Sequence, residues 1–306
     1  MALYAFDGTW NSATLHDDVE QEDETNVAKF CEAYTGNVFY VPGPGTRFGR
    51  VGKVVGGVAG MGGRSRVREA YDQLCANWAN RDHVIDIVGF SRGAALALDF
   101  ANKIADDGIR RVGTRDVAED DPPMRFLGLW DLVGSFGVPI NVGPLDFQEI
   151  NLGHKLDVPG NVTHCVHAIA LDERRQTFRV TRLLNAWEVW FRGVHSDVGG
   201  GNGNVGLSSI ALRWMLRKAS AAGLPIDDRM ATACDAKANS DAPLKPSKDP
   251  IPNEHRGSLR GDRVHYSVVP RQDHHNPGAE MLRETEQDER NAVRLEDIPQ
   301  RSAAPA

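Results

Sequence analysis

The segment Val84-Ile-Asp-Ile-Val-Gly-Phe-Ser91-Arg-Gly-Ala94 decides how this chain is read. Its first half is an apolar, β-branched run of strand type, and the Ala-Leu-Ala-Leu that continues it is helix-forming. Between them stands Gly89-Phe-Ser91-Arg-Gly93, a G-x-S-x-G pattern. In a strand-to-helix turn that tight, the serine is forced into a strained backbone conformation. Glycines two before and two after it keep neighbouring atoms from colliding. Ser91 is therefore the candidate nucleophile, rather than an ordinary helix-capping serine.

Working outward, short runs rich in Val, Ile and Phe alternate with helical patterns, the signature of a mainly parallel sheet with helices on both faces. Strands are expected at Ala2–Phe6, Asn37–Val41, Val84–Val88, Phe126–Trp130, Cys165–Leu171, Glu188–Phe191 and Val264–Val269. Helices are expected at Asn26–Tyr34, Ser65–Asn80, Arg92–Asp106 and Ser208–Ala222. In the second of these, Val67, Ala70, Tyr71, Leu74, Cys75 and Trp78 recur at three- and four-residue spacing and form a core-facing stripe.

Composition narrows the function. The net charge of -7 argues against a nucleic-acid partner, which needs a concentrated basic surface. Cys31, Cys75, Cys165 and Cys234 are scattered without a C-x-x-C pair, so neither a zinc ribbon nor a redox dithiol is expected, and no cofactor is. No stretch approaches the ~20 apolar residues of a membrane span. The first residues lack the basic and apolar regions of a Sec signal, so a cytoplasmic protein as synthesised is expected.

One α/β-hydrolase-like domain is expected over residues 1–279, with a mobile excursion near 235–262 that is rich in Pro, Ser, Lys and Asp. A charged, disordered tail is expected over 280–306. Gly43–Gly63 carries nine glycines in twenty-one residues. It has no G-x-x-x-x-G-K-[ST], so it is read as a loop bordering the site rather than a nucleotide cradle.

A nucleophilic serine needs a base and an acid that orients it, in the chain order Ser, Asp or Glu, His for this fold. His195 suits the base, because it follows the aromatic strand and precedes the glycine-rich Ser196-Asp-Val-Gly-Gly-Gly201. His164 and His167 lie within a strand, and His274 and His275 in a polar stretch. Asp131 and Asp172 each end a strand, and either could serve as the acid. Asp197 is too near His195 in sequence for that role; it shapes the loop or binds an ion.

Asp7-Gly-Thr-Trp-Asn11 follows the first strand. It resembles the aspartyl phosphatase motif D-x-D-G-T but has Ala5 where that chemistry needs its nucleophilic aspartate. Its backbone amides, at Gly8, Thr9 and Trp10, together with that of Arg92, are candidates for an oxyanion hole. The rival readings are a metal-dependent hydrolase built on Asp7, His195 and Asp197, and a non-catalytic module that kept the fold.

Phe6-Asp-Gly-Thr-Trp-Asn11, Pro42-Gly-Pro-Gly-Thr46, Gly89-Phe-Ser-Arg-Gly-Ala94 and Leu129-Trp-Asp-Leu-Val-Gly-Ser135 also carry a family likeness. So do His167-Ala-Ile-Ala-Leu-Asp-Glu-Arg174, Glu188–Gly201 and Leu207–Met215. Through them the chain resembles the bacterial α/β-hydrolases related to type VI secretion phospholipase effectors. Ser209 departs from that pattern, standing where aspartate is frequent.

The resemblance implies a Ser-His-Asp triad of Ser91, His195 and Asp131 acting on an ester, with phospholipid as the relatives' substrate. It further implies an ester or lipid substrate, peripheral membrane contact, a secretion-system or immunity partner, and export by a type VI system. The chain is expected to lack the C-terminal membrane-anchoring module of the larger effectors.

Overall fold

The computed structural model describes residues 1–8, 23–43, 63–134, 157–175, 178–183, 185–244, 255–258, 260–271, 276–278 and 280–298. The chain opens with β1 (Ala2–Phe6), α1 (Asn26–Ala33), β2 (Asn37–Val41), α2 (Gly63–Ala79), β3 (Ile85–Phe90) and α3 (Arg92–Asp107). A small antiparallel hairpin, β4 (Ile109–Arg110) with β5 (Val117–Glu119), precedes β6 (Met124–Trp130), β7 (Val162–Ala170) and β8 (Trp187–Phe191). Then come α4 (His195–Gly199), α5 (Val205–Ala221), α6 (Asp228–Lys237), β9 (Arg263–Val264), β10 (Leu282–Arg283) and α7 (Glu286–Glu289).

Among the described residues, eight strands form one sheet in the order β10-β9-β8-β7-β6-β3-β1-β2, and its pairings are all parallel. Every residue of β1 and of β3 is buried, as expected where helices cover both faces of a parallel sheet. Side chains alternate across each strand. Ala2, Tyr4 and Phe6 of β1 pack with α2 and α3 on one face. Leu3 and Ala5 pack with α1, α5 and α6 on the other. The stripe expected on α2 is part of the first layer, except that Trp78 is only partly buried.

Because the strands are parallel, their C-terminal ends share one edge. The strand order also reverses direction at β1, with β2 on one side and β3 on the other, so the ends of β1 and β3 lie at the switch point where open parallel sheets place their sites. Gly8 follows β1, and Ser91 follows β3.

Several expectations are corrected. The last expected strand, Val264–Val269, shrinks to Arg263–Val264, because the Val268 amide turns back onto the His265 carbonyl. Residues 280–298, expected as part of a disordered tail, are built into the fold: β10 adds to the sheet edge, α7 packs on α5, and a 3-10 turn at Leu295–Asp297 packs against β7. The cause is electrostatic: two of the acidic residues there find buried partners. Glu284 accepts from the Trp187 and Trp214 indoles and meets Lys218, while Glu289 meets Arg213, Arg217 and His265. The expected excursion near 235–262 begins inside α6; its residues 245–254 and 259 lie outside the described residues, as do 299–306. The Gly43–Gly63 loop also falls outside them except for its two ends. Among the described residues, no helix is long and apolar enough to cross a membrane.

Candidate active site

Ser91 sits between β3 and α3 with φ 57° and ψ -124°, a conformation that costs a non-glycine residue of order 1–3 kcal/mol. The surroundings hold it there. Its amide donates to the Trp130 carbonyl at 3.0 Å, and its carbonyl accepts the amides of Ala94 and Ala95 in the first turn of α3. The flanking glycines are sterically required. A Cβ on Gly93 would lie 2.3 Å from the Phe6 carbonyl oxygen, and one on Gly89 would lie 2.7 Å from Ala94 Cα. Ser91 is 4% exposed, so it lies in a recess rather than projecting into solvent as such an elbow would suggest.

Asp131 follows β6 with φ 39° and is completely buried. Its Oδ2 lies 2.6 Å from His195 Nδ1, and its Oδ1 accepts the Ala170 amide at 2.9 Å. With Nδ1–H donating to the carboxylate, the neutral His195 ring keeps Nε2 as its acceptor. That ring lies against Phe90, the residue before Ser91, at 4.6 Å between centroids, with Phe178 edge-on at 4.8 Å. Burial lowers the His195 pKa, against the pull of Asp131 in the other direction. For Asp131, burial alone would raise the pKa, but Arg256 and His195 hold it below the ordinary carboxylate range.

Asp172, the other candidate acid, binds elsewhere. It accepts from Arg192 Nη1 at 2.8 Å and from the Gly193 amide at 2.7 Å, so it braces the turn leading into His195. His195 itself is the first residue of the short helix α4, not of an open glycine loop. Asp197 caps that helix through the Val194 amide and also binds the Asn202 and Asn204 amides, which makes it a loop-shaping residue. His167 is a core residue: its Nε2 accepts the Leu132 amide at 3.0 Å and its Nδ1 meets Glu188. It thereby steadies the backbone next to Asp131.

Asp7 is buried and accepts from Thr25 at 2.7 Å, from Tyr40, and from the amide of Gly8 at 2.7 Å. Burial raises its pKa to about 6 despite those donors. The Gly8 amide thus points at Asp7, which corrects its assignment as an oxyanion donor; Thr9 and Trp10 lie outside the described residues. Gly8 still borders the site, since a Cβ there would lie 3.3 Å from Ser91 Cβ. Asp7, His195 and Asp197 each belong to a separate hydrogen-bond set. Among the described residues, no three His, Cys, Asp or Glu side chains converge as metal ligands would.

Residues 3–119 and 103–218 match the family described as "T6SS, Phospholipase effector Tle1-like, catalytic domain". The chain belongs to this family. Similar solved structures include an uncharacterized protein from Pseudomonas aeruginosa, at 21% identity over 77% of this chain and 50% of that one, TM-score 0.45. Another is the Tle1 effector bound to the VgrG spike from the Type 6 secretion system, at 20% identity over 67% of this chain and 51% of that one, TM-score 0.45. The chain spans about half the length of each. No curated protein matches it significantly in sequence.

This Tle1-like site holds two charged residues that the sequence reading did not single out. Glu173 accepts the His195 amide at 3.1 Å and is gripped in turn by Arg175. Arg256, from the polar excursion, reaches Asp131 at 2.6 Å and 3.0 Å. Glu173 sits in the His167–Arg174 motif and could have been suspected. No periodicity or motif marks Arg256.

Proposed function

We propose that this Tle1-like chain is a serine hydrolase that cleaves carboxylic esters of lipids, with Ser91 as nucleophile, His195 as general base and Asp131 as the acid that orients it. The observation that carries the reading is the 2.6 Å bond from His195 Nδ1 to Asp131, with the same imidazole packed at 4.6 Å on Phe90, the residue before the strained Ser91 elbow.

In this reading His195 Nε2 takes the Ser91 Oγ proton as Oγ attacks the ester carbonyl carbon. The imidazolium then forms beside Asp131, whose depressed pKa keeps it ionised. Collapse of the tetrahedral intermediate passes that proton to the leaving alcohol and leaves an acyl-enzyme. Water repeats the sequence and releases the carboxylic acid.

The Arg92 amide, first in α3 and directly after the nucleophile, supplies one oxyanion contact; Thr9 and Trp10, the sequence candidates for a second, lie outside the described residues. The phospholipid substrate, the membrane surface on which it is met, and delivery through a type VI spike extend the same reading from the family and from the Tle1 effector to this chain.

The test is labelling with a fluorophosphonate probe, followed by assay of ester and phospholipid substrates. Wild type should label and turn over; Ser91→Ala should do neither. An unlabelled wild type would favour a non-catalytic module.

A further inference from the structure

Asp131, the acid in the reading above, has a full cationic partner. Arg256 Nη1 lies 2.6 Å from Oδ1, and Nη2 lies 3.0 Å from Oδ2, so both carboxylate oxygens are held by one planar fork. The same guanidinium donates to the carbonyls of Ala170, at the end of β7, and of Phe178, whose ring packs on His195. Arg256 is therefore bonded to the acid, to the strand whose amide holds that acid, and to the segment that walls the base. It approaches from 255–258, a part of the chain that belongs to no strand or helix.

We propose that Arg256 is a positioning residue of the Tle1-like active site: it clamps Asp131 in its left-handed conformation and sets the basicity of His195 by sharing the negative charge of that carboxylate. The proposal rests on the hydrolase reading above, in which His195 is the base.

The physics is a competition for one charge. A buried carboxylate facing a histidine alone stabilises the imidazolium strongly. A guanidinium on its other side neutralises much of that field, so the imidazole is kept neutral and ready to accept a proton at lower pH. Among the described residues, the other charged groups near His195 are Glu173 and Arg175 beyond β7, Asp197 in the same helix, and Asp172 and Arg192, paired at the turn before it. Glu173 pairs with Arg175 and Asp172 with Arg192. Arg256 is thus the cation bonded to the carboxylate that holds Nδ1. Arginine also suits the place better than lysine, since a fork spans two oxygens and two carbonyls while an ammonium cannot.

The experiment follows the His195 resonance by NMR across pH in the full chain labelled at histidine, with His195→Gln providing the assignment. The same proteins are assayed for kcat and KM against a soluble ester. Arg256→Gln should raise the His195 pKa by about one unit or more, carry the acid limb of the pH–kcat/KM profile with it, and lower kcat. Arg256→Lys should keep the pKa near the wild-type value while kcat still falls, because the charge remains and the fork is gone. An unmoved pKa in a folded Arg256→Gln protein would overturn the proposal. If that variant does not fold, full wild-type kcat in Arg256→Lys overturns it. A wild type without esterase activity would instead defeat the hydrolase reading, and the NMR titration would still decide the role of Arg256.

Discussion

His195 Nδ1 and Asp131 Oδ2 lie 2.6 Å apart although 64 residues separate them, while Asp172 is turned away to Arg192 and Gly193. Asp131→Asn should therefore lower kcat by roughly 10⁴ with KM little changed, because an amide there favours the wrong tautomer of His195. Asp172→Asn should cost stability, by leaving the buried Arg192 without its charge partner, and should reduce kcat much less. Steady-state kinetics and thermal melts of the two variants distinguish the roles. The reverse ranking of kcat would transfer the acid to Asp172.

Ser91 combines its proposed role as nucleophile with a strained backbone, and two substitutions separate them. Ser91→Ala should lower kcat on an ester by about 10⁶ and abolish fluorophosphonate labelling. Ser91→Gly should be equally inactive yet more stable than wild type by ~1 kcal/mol, since glycine adopts φ 57° freely. Chemical denaturation reads the second effect. A glycine variant no more stable than the alanine one would mean that the elbow stores no strain.

The carboxylates of Asp7 and Asp197 are occupied by separate hydrogen-bond donors, and His195 Nδ1 by Asp131. Activity should accordingly survive dialysis against a strong chelator and should not rise when Zn²⁺ or Mg²⁺ is restored. Loss on chelation with recovery on metal addition would replace the serine mechanism with the metal-centred one.

Glu289 ties α7 to the body of the protein. Burial would raise its pKa, but His265, Arg213 and Arg217 outweigh that and lower it from 4.5 to about 2. The unfolded chain thus binds the proton more readily than the native one between pH 4.5 and 2. Stability from this group is fully present above about pH 4.5 and is lost as pH falls toward 2. Glu289→Gln should be less stable than wild type by roughly 3 kcal/mol at pH 7, with the gap narrowing at pH 3.5. Urea midpoints at both pH values check it; a gap independent of pH would remove the electrostatic cause.

Periodicity and turn chemistry are local, and on that basis the sequence alone determined the strands Ala2–Phe6 and Asn37–Val41 and the buried face of α2. It also determined the Ser91 turn, whose glycines are required by contacts within a few residues on either side of the elbow and with the neighbouring strand. His195 stood out as the candidate base because it follows a late strand. What lay beyond local signals was decided by the tertiary structure. Asp131 and Asp172 both follow strands, and the fold sets different partners opposite them: His195 and Arg256 for one, Arg192 and Gly193 for the other. Arg256 gained its place through a contact spanning 125 residues, and Glu284 and Glu289 became structural because α5 and His265 supply cations and donors for their carboxylates. Burying a charge is favourable only beside its partner, and that partner is chosen by the packed fold rather than by the chain near it.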